Sequence, residues 1–278
     1  DNFDGSATTV FVITQGGISD SSITEISDIV YTGKEVVYEL VVTVNGKVLT
    51  KGTDYEVTVT GDTINVGTVT IEVKGIDNYT GTGSTTFEIT PKSIEGGQAI
   101  IEGSLVYNGS YIKPITGVTL EGYTGVTYDE ISYENNENAG TASYTINGNG
   151  NYKGTITGTF EITKATPVIT VPTGIIEITY GDTFNASAYY EVSNNFDAAV
   201  SSIVKLGNTV INELNVGEYV VYVSVTENDN VFGATESFIL KVNPKEVVKP
   251  TNGDTVYTYN GTEQTFTETS FANELIKV

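Results

Sequence analysis

The sequence predicts an all-β chain built from tandem small β-sandwiches, and three observations predict it. Blocks of residues recur at a fixed interval, apolar residues alternate with a period of two, and no window of 11 or more residues carries a helical 3.6-residue stripe. The interval is set by three landmarks that always come in one order. Tyr31-Thr32-Gly33 returns as Tyr107-Asn108-Gly109, Tyr180-Gly181 and Tyr259-Asn260-Gly261, at spacings of 76, 73 and 79 residues. Asn65-Val66-Gly67 returns as Asn138-Ala139-Gly140 and Asn215-Val216-Gly217. Asn78-Tyr79-Thr80-Gly81, followed by Phe87-Glu88-Ile89-Thr90, returns 73 residues later as Asn151-Tyr152-Lys153-Gly154, followed by Phe160-Glu161-Ile162-Thr163. A looser copy reads Asn230-Val231-Phe232-Gly233 before Phe238-Ile239-Leu240-Lys241. Fixed-period similarity of this kind describes a string of like modules, each one compact unit.

Proline places the joints. Thr90-Pro91-Lys92, Ala165-Thr166-Pro167 and Asn243-Pro244-Lys245 each interrupt the strand pattern where a fixed φ and a missing donor stop a ladder. The expected units are therefore 15–91, 92–166 and 167–243, with 1–14 as the closing strand of a preceding repeat and 244–278 as the opening half of a further one. The first residues support this, because Phe11-Val12-Ile13-Thr14 matches the end of a unit and not its start.

Within the first unit the elements follow in order. Tyr38, Leu40, Val42 and Val44 alternate, and Asn45-Gly46 supplies the positive φ angles of a type I′ turn before Val48 opens the return strand. Tyr55, Val57 and Val59 form the next strand, Val69, Ile71 and Val73 another, and Phe87 and Ile89 the last, separated by Gly-Asp and Asn-Tyr-Thr-Gly turns. Thr, Val, Ile and Tyr dominate, as strands require. Units of this length with about seven short antiparallel strands point to immunoglobulin-like sandwiches.

Composition bounds the setting. The chain has no Cys, so no disulfide staples a unit and each depends on its own core and on its neighbours. No apolar run approaches the ~20 residues of a membrane-spanning helix. The sequence has no Met and no signal or anchor motif, which suits a piece of a larger or processed protein. Thirty-five acidic residues face 13 basic ones, for a net charge of −22. All the basic residues are Lys, and a surface this acidic repels nucleic acid and anionic membranes. With no His and no Cys, the chain lacks the usual general base, the usual zinc ligands and every Ser-His or Cys-His nucleophile pair. Paired carboxylates could hydrolyse glycosides, but no acidic position recurs in a distinctive setting. A non-enzyme is expected.

Tyr31 to Lys34, Leu49 to Tyr55, Asn65 to Thr68 and Gly75 to Thr82 resemble the MBG/YDG-type bacterial immunoglobulin-like repeats. The likeness is strongest in the first unit, is retained in the second without the Leu-x-x-Gly-x-Asp-Tyr run, and thins in the third, where Val231 stands at the Tyr79 position. Such repeats occur in tandem in large cell-surface and adhesin-like proteins. The resemblance implies a secreted or wall-displayed location and a spacer or adhesion role, and it supplies neither a ligand nor catalytic residues.

Two kinds of aromatic residue separate on this pattern. Tyr79, Tyr152 and Phe3 recur at a turn before the last strand, and repetition assigns them to the fold, packing over the sandwich end with hydroxyls on backbone. Tyr123, Tyr133, Tyr189 and Tyr190 are not repeated, so they are the candidates for contact with a glycan or protein ligand, or else cross-strand partners. Calcium is the one cofactor to consider. The oxygen-rich runs Glu134-Asn135-Asn136-Glu137-Asn138 and Glu227-Asn228-Asp229-Asn230 could serve a hard cation, yet both lack dedicated loop spacing and read also as solvated turns. Four Asn-x-Ser/Thr sequons begin at Asn78, Asn108, Asn185 and Asn260.

The expected function is an extracellular structural spacer or stalk in a surface adhesin-like protein. Its partners would be neighbouring repeats, other copies of the chain, or a host or cell-surface glycan or protein. One alternative is a glycan- or protein-binding adhesion module. Another is a filament subunit that assembles head to tail by donating residues 1–14 to the half-module from Val256 onward.

Overall fold

The computed structural model describes residues 5–246. Among them the chain is all-β, and its only helical turns are two 3₁₀ segments of three residues, Asp20–Ser22 and Ala186–Ala188. The Phe3 and Tyr259 landmarks lie outside the described residues, as does 247–278.

In the first repeat the strands Tyr55–Thr60, Gly67–Gly75 and Thr82–Thr90 form an antiparallel sheet, and Ile29–Val30 joins Thr82–Thr90 in parallel. The period of two fixes which side is buried. Val69, Ile71 and Val73 are fully buried with Phe87 and Ile89, while Thr68, Glu72 and Lys74 face water. Ile18, Ile23, Ile26, Val42 and Val44 close the other side of this core. Thr43–Val44 and Lys47–Val48 make the expected hairpin, with Asn45 at φ 50° and Gly46 at φ 78°. Ahead of the hairpin the burial alternation predicted through Tyr38 and Leu40 is present, but residues 34–41 form no ladder.

The second repeat uses Ser132–Glu134, Gly140–Asn147 and Thr155–Ile162 as one sheet and Gln98–Ile101 with Ile115–Thr119 as the other. In the third repeat Ile176–Thr179, Ala234–Asn243, Gly217–Val225, Val200–Leu206 and Thr209–Val210 make a five-stranded sheet. It packs against the pair Val168–Thr170 and Glu191–Ser193, with Ile169, Val171 and Val192 set on Val221, Val223, Phe238 and Leu240.

The landmarks now have positions in the fold. The backbone N–H of the landmark Tyr donates to the end of its own closing strand each time, Tyr31 to Thr90 O, Tyr107 to Thr163 O and Tyr180 to Asn243 O, all at 2.8 Å. Tyr107 is buried, and Tyr31 and Tyr180 are half-buried. The landmark turn likewise ties down the start of each unit, since Asn78 O, Asn151 O and Asn230 O accept from Gly16, Lys92 and Ala165 N–H at 2.9–3.0 Å. Glycine is required at the turn's entry, where the chain doubles back on itself. A Cβ on Gly75 would lie 2.8 Å from Thr80 N, and one on Gly148 would lie 2.9 Å from Lys153 N.

Residues 5–15 carry no strand. Phe11 and Ile13 are 78% and 86% exposed, whereas the matching Phe87 and Ile89 are 2% and 1% exposed.

Candidate functional site

The repeated Asn residues meet one another between units. Asn151, from the second repeat's turn, accepts from the Val66 N–H of the first repeat at 2.9 Å, and its Nδ2 donates to Asn65 Oδ1 at 2.8 Å. The next joint repeats this geometry. Asn230 Oδ1 accepts from the Ala139 N–H at 2.9 Å and Asn230 Nδ2 donates to Asn138 Oδ1 at 3.0 Å. Each joint is therefore a two-bond amide clasp, in which the Asn-x-Gly turn of one repeat grips the turn Asn of the next. An amide suits the task because it offers one acceptor and two donors in a plane, matching a backbone N–H and a side-chain carbonyl together. Each bond is worth about 0.5–1.5 kcal/mol net, so the clasp orients more than it binds.

Apolar contact fills in around the clasp. At the first joint Tyr31 meets Tyr152 edge-on, with ring centroids 5.5 Å apart, and stacks on Tyr123 at 6.4 Å. The Tyr123 hydroxyl donates to Tyr31 O at 3.2 Å, and Lys92 Nζ lies 5.4 Å from the Tyr123 ring centroid. Burial pushes the Tyr152 phenol above its ordinary pKa, with Tyr31 and Tyr123 adding to the shift. At the second joint Tyr107 meets Phe196 edge-on at 4.9 Å, and a single core runs across the boundary from Phe160, Ile162 and Ala165 to Ala198, Val225 and Val231. Lys164 Nζ, in the connecting segment, donates to Glu227 Oε1 at 2.7 Å and to Asn228 O at 2.8 Å. That bond and charge hold the Glu227 carboxyl below its ordinary pKa.

The four candidate tyrosines are dispersed. Tyr123 belongs to the first joint. Tyr133 is half-buried against Phe160, accepts from the Ile115 N–H at 3.3 Å, and has its pKa raised chiefly by burial. Tyr189 stacks on Phe184 at 5.6 Å and leans on Phe238. Only Tyr189 and Tyr190 share a cavity, an open groove of ≈ 660 Å³ on the third repeat that Val171, Pro172 and Glu191 also line. Tyr79 departs from the expected tyrosine-corner role, because its hydroxyl accepts from Lys47 Nζ at 3.1 Å instead of bonding backbone. Tyr152 is a joint residue. The tyrosine that does bond backbone in this way is Tyr219, whose hydroxyl donates to Asn215 O at 2.8 Å.

The two oxygen-rich runs face each other across the second joint, and much of their bonding capacity is already used there. Asn136 Nδ2 donates to Ile112 O, Asn138 Oδ1 accepts from Asn230, and Asn228 Oδ1 accepts from the Asn230 and Val231 N–H groups. Among the described residues no group of three or more Asp, Glu, His or Cys side chains is placed to hold a metal ion. The joint residues escaped sequence reasoning, although the Asn repetition that marks them was visible.

No known family profile matches the chain, and no curated protein matches it. Among solved structures it is similar to Drosophila N-cadherin EC1-3, at 10% identity over 86% of this chain and 100% of that one, with a TM-score of 0.24. It is also similar to the EC3-6 region of protocadherin gammaB7, at 10% identity over 80% of this chain and 73% of that one, with a TM-score of 0.22. A third structure is the M60 catalytic domain with CBM51 domains of Clostridium perfringens ZmpB, at 11% identity over 80% and 31% of the two chains and a TM-score of 0.22. Superposition this loose carries no argument about function.

Proposed function

We propose that this chain is an extracellular structural spacer, a row of immunoglobulin-like repeats of the MBG/YDG type whose joints hold successive units in a set orientation within a surface adhesin-like protein. The observation that carries the reading is the same asparagine clasp closed at both joints between the three repeats. A chain selected only to fold three independent sandwiches has no need to place an amide at one register and its acceptor and donor one repeat away. The acidic, Lys-only and Cys-free composition suits a solvated surface stalk, and the lack of His and Cys leaves no common catalytic pair.

Spin labels on the first and third repeats, read by pulsed dipolar spectroscopy, test this. A narrow distance distribution is expected, broadening when Asn151 and Asn230 are both changed to Ala. A broad distribution in the unmodified chain, or compact small-angle scattering, would overturn the spacer reading.

The groove at Tyr189 and Tyr190 favours a second reading, a glycan-binding module on the third repeat. Two aromatic rings beside Glu191 on an open surface suit the faces and hydroxyls of a sugar. A glycan array in which binding disappears with Tyr190→Ala would support it, and an array without hits would remove it.

A further inference from the structure

The first and third repeats each present half of a joint that is complete elsewhere. Asn151 and Asn230 are half-buried, and Tyr152 and Val231 are buried, because the preceding repeat covers them. At the matching positions of the first repeat Asn78 is exposed and Tyr79 half-buried, with Lys47 Nζ 5.3 Å from its ring centroid. The opposite half recurs on the third repeat. Val66 and Ala139 are half-buried in their clasps, but Val216 is 53% exposed. Beside it lies an open pocket of ≈ 410 Å³ lined by Tyr180, Phe184, Leu214 and Asn215, and Tyr180 is the counterpart of Tyr31 and Tyr107.

We infer that Asn78 and Tyr79 form a docking surface for the Asn215–Gly217 turn of a second copy of this chain, so that copies join head to tail through a third version of the same joint. In that contact Asn78 Oδ1 accepts from the Val216 N–H, Asn78 Nδ2 donates to Asn215 Oδ1, and Tyr79 packs towards Tyr180. The two faces fit by construction, since each is the repeat-shifted equivalent of a surface already paired in the structure. Two chains of net charge −22 repel each other, so the association strengthens as salt screens them. The inference rests on the joint chemistry and does not require the spacer reading. A stiff array whose copies do not join, or a flexible one whose copies do, would separate the two.

The chain has no Cys, so introduced thiols are unique. The full chain carrying Lys47→Cys and Val216→Cys, which leaves both clasp amides intact, is treated with a short bismaleimide over a range of protein and salt concentrations. The expected result is a ladder of linked dimers and trimers that grows with both. Adding Asn78→Ala should lower the linked fraction by about tenfold, the loss expected when two interfacial hydrogen bonds go, with the melting curve unchanged. A control pair, Lys47→Cys with the exposed Ser202→Cys, should give no ladder. The inference is overturned if no ladder forms at any concentration, if the control pair links equally well, or if Asn78→Ala leaves the ladder intact.

Discussion

The two joints share their hydrogen bonds and differ in what surrounds them. Both close the same amide clasp, but the first is packed by three tyrosine rings and the second by an aliphatic core that passes from one repeat to the next. The first joint leaves Tyr31 half-buried, whereas at the second Ala165 and Val231 are 1% and 0% exposed. A joint can thus be orientated by one constant polar element while its apolar filling varies with the side chains at hand. The clasp specifies register, because an amide satisfied by both partners tolerates little slippage. The filling decides how strongly neighbouring repeats unfold together.

The largest effect separates filling from fold. Tyr152→Ala removes a buried ring that contacts Tyr31 and Tyr123, and it should destabilise the second repeat by about 3–5 kcal/mol. Tyr79→Ala, at the matching position with no preceding repeat against it, should cost less than half as much. Equal losses by chemical denaturation would show that the ring serves its own sandwich and not the joint.

The clasp comes next. Asn151→Ala and Asn230→Ala each strip the partner from a half-buried N–H, at about 1–3 kcal/mol. Asn78→Ala should fall within about 0.5 kcal/mol of the parent, as surface changes do. A double-mutant cycle between Asn65 and Asn151 checks whether the loss belongs to the pair. Additive single losses would mean that the amides contribute separately, and the comparison of joints would then rest on filling alone.

Much of the fold was legible because strand alternation is local. Val69, Ile71 and Val73 declare their buried face within five residues, and Asn45-Gly46 declares its turn in two. The joints were not legible, although their residues were the most repetitive in the chain. Asn65 and Asn151 lie 86 residues apart and in different repeats, so a single sequence shows that each recurs without showing that they touch. Repetition alone cannot distinguish a residue the module needs for folding from one it needs for its neighbour. Tyr123 was set apart from the repeated aromatics because it has no counterpart at its register, and that is consistent with its place at the joint packed by rings. Tyr189 and Tyr190 lie in a groove because the 3₁₀ turn Ala186–Ala188 precedes them, and no periodic signal marks such a turn.

A smaller effect belongs to the first joint alone. Tyr123→Phe keeps the stacked ring and removes only the bond to Tyr31 O, so about 0.5–1.5 kcal/mol should be lost. The distance distribution between labels on the first and second repeats should widen, while that between the second and third stays as it was. If both widen, the two joints are coupled through the second repeat.

The smallest effect is a pH dependence confined to the second joint. Lys164 donates to Glu227 across the connecting segment, and the Glu227 carboxyl is held below its ordinary value, first by that hydrogen bond and then by the Lys164 charge. A carboxylate whose folded-state pKa is depressed contributes stability that is fully present above its unfolded-state pKa and fades as pH falls through the folded value. The pair should therefore support the second joint at neutral pH and stop doing so in the acid range below the usual glutamate pKa. Protonating the many other carboxylates relieves the net negative charge over the same range and works in the opposite direction, so the parent's melting curve alone does not isolate the pair. The difference between the parent and Glu227→Gln does. It should be small and in the parent's favour at neutral pH, shrink in high salt because both groups reach water, and vanish at low pH. A difference that persists unchanged into acid would show that Glu227 acts through packing on Gly233 and not through its charge.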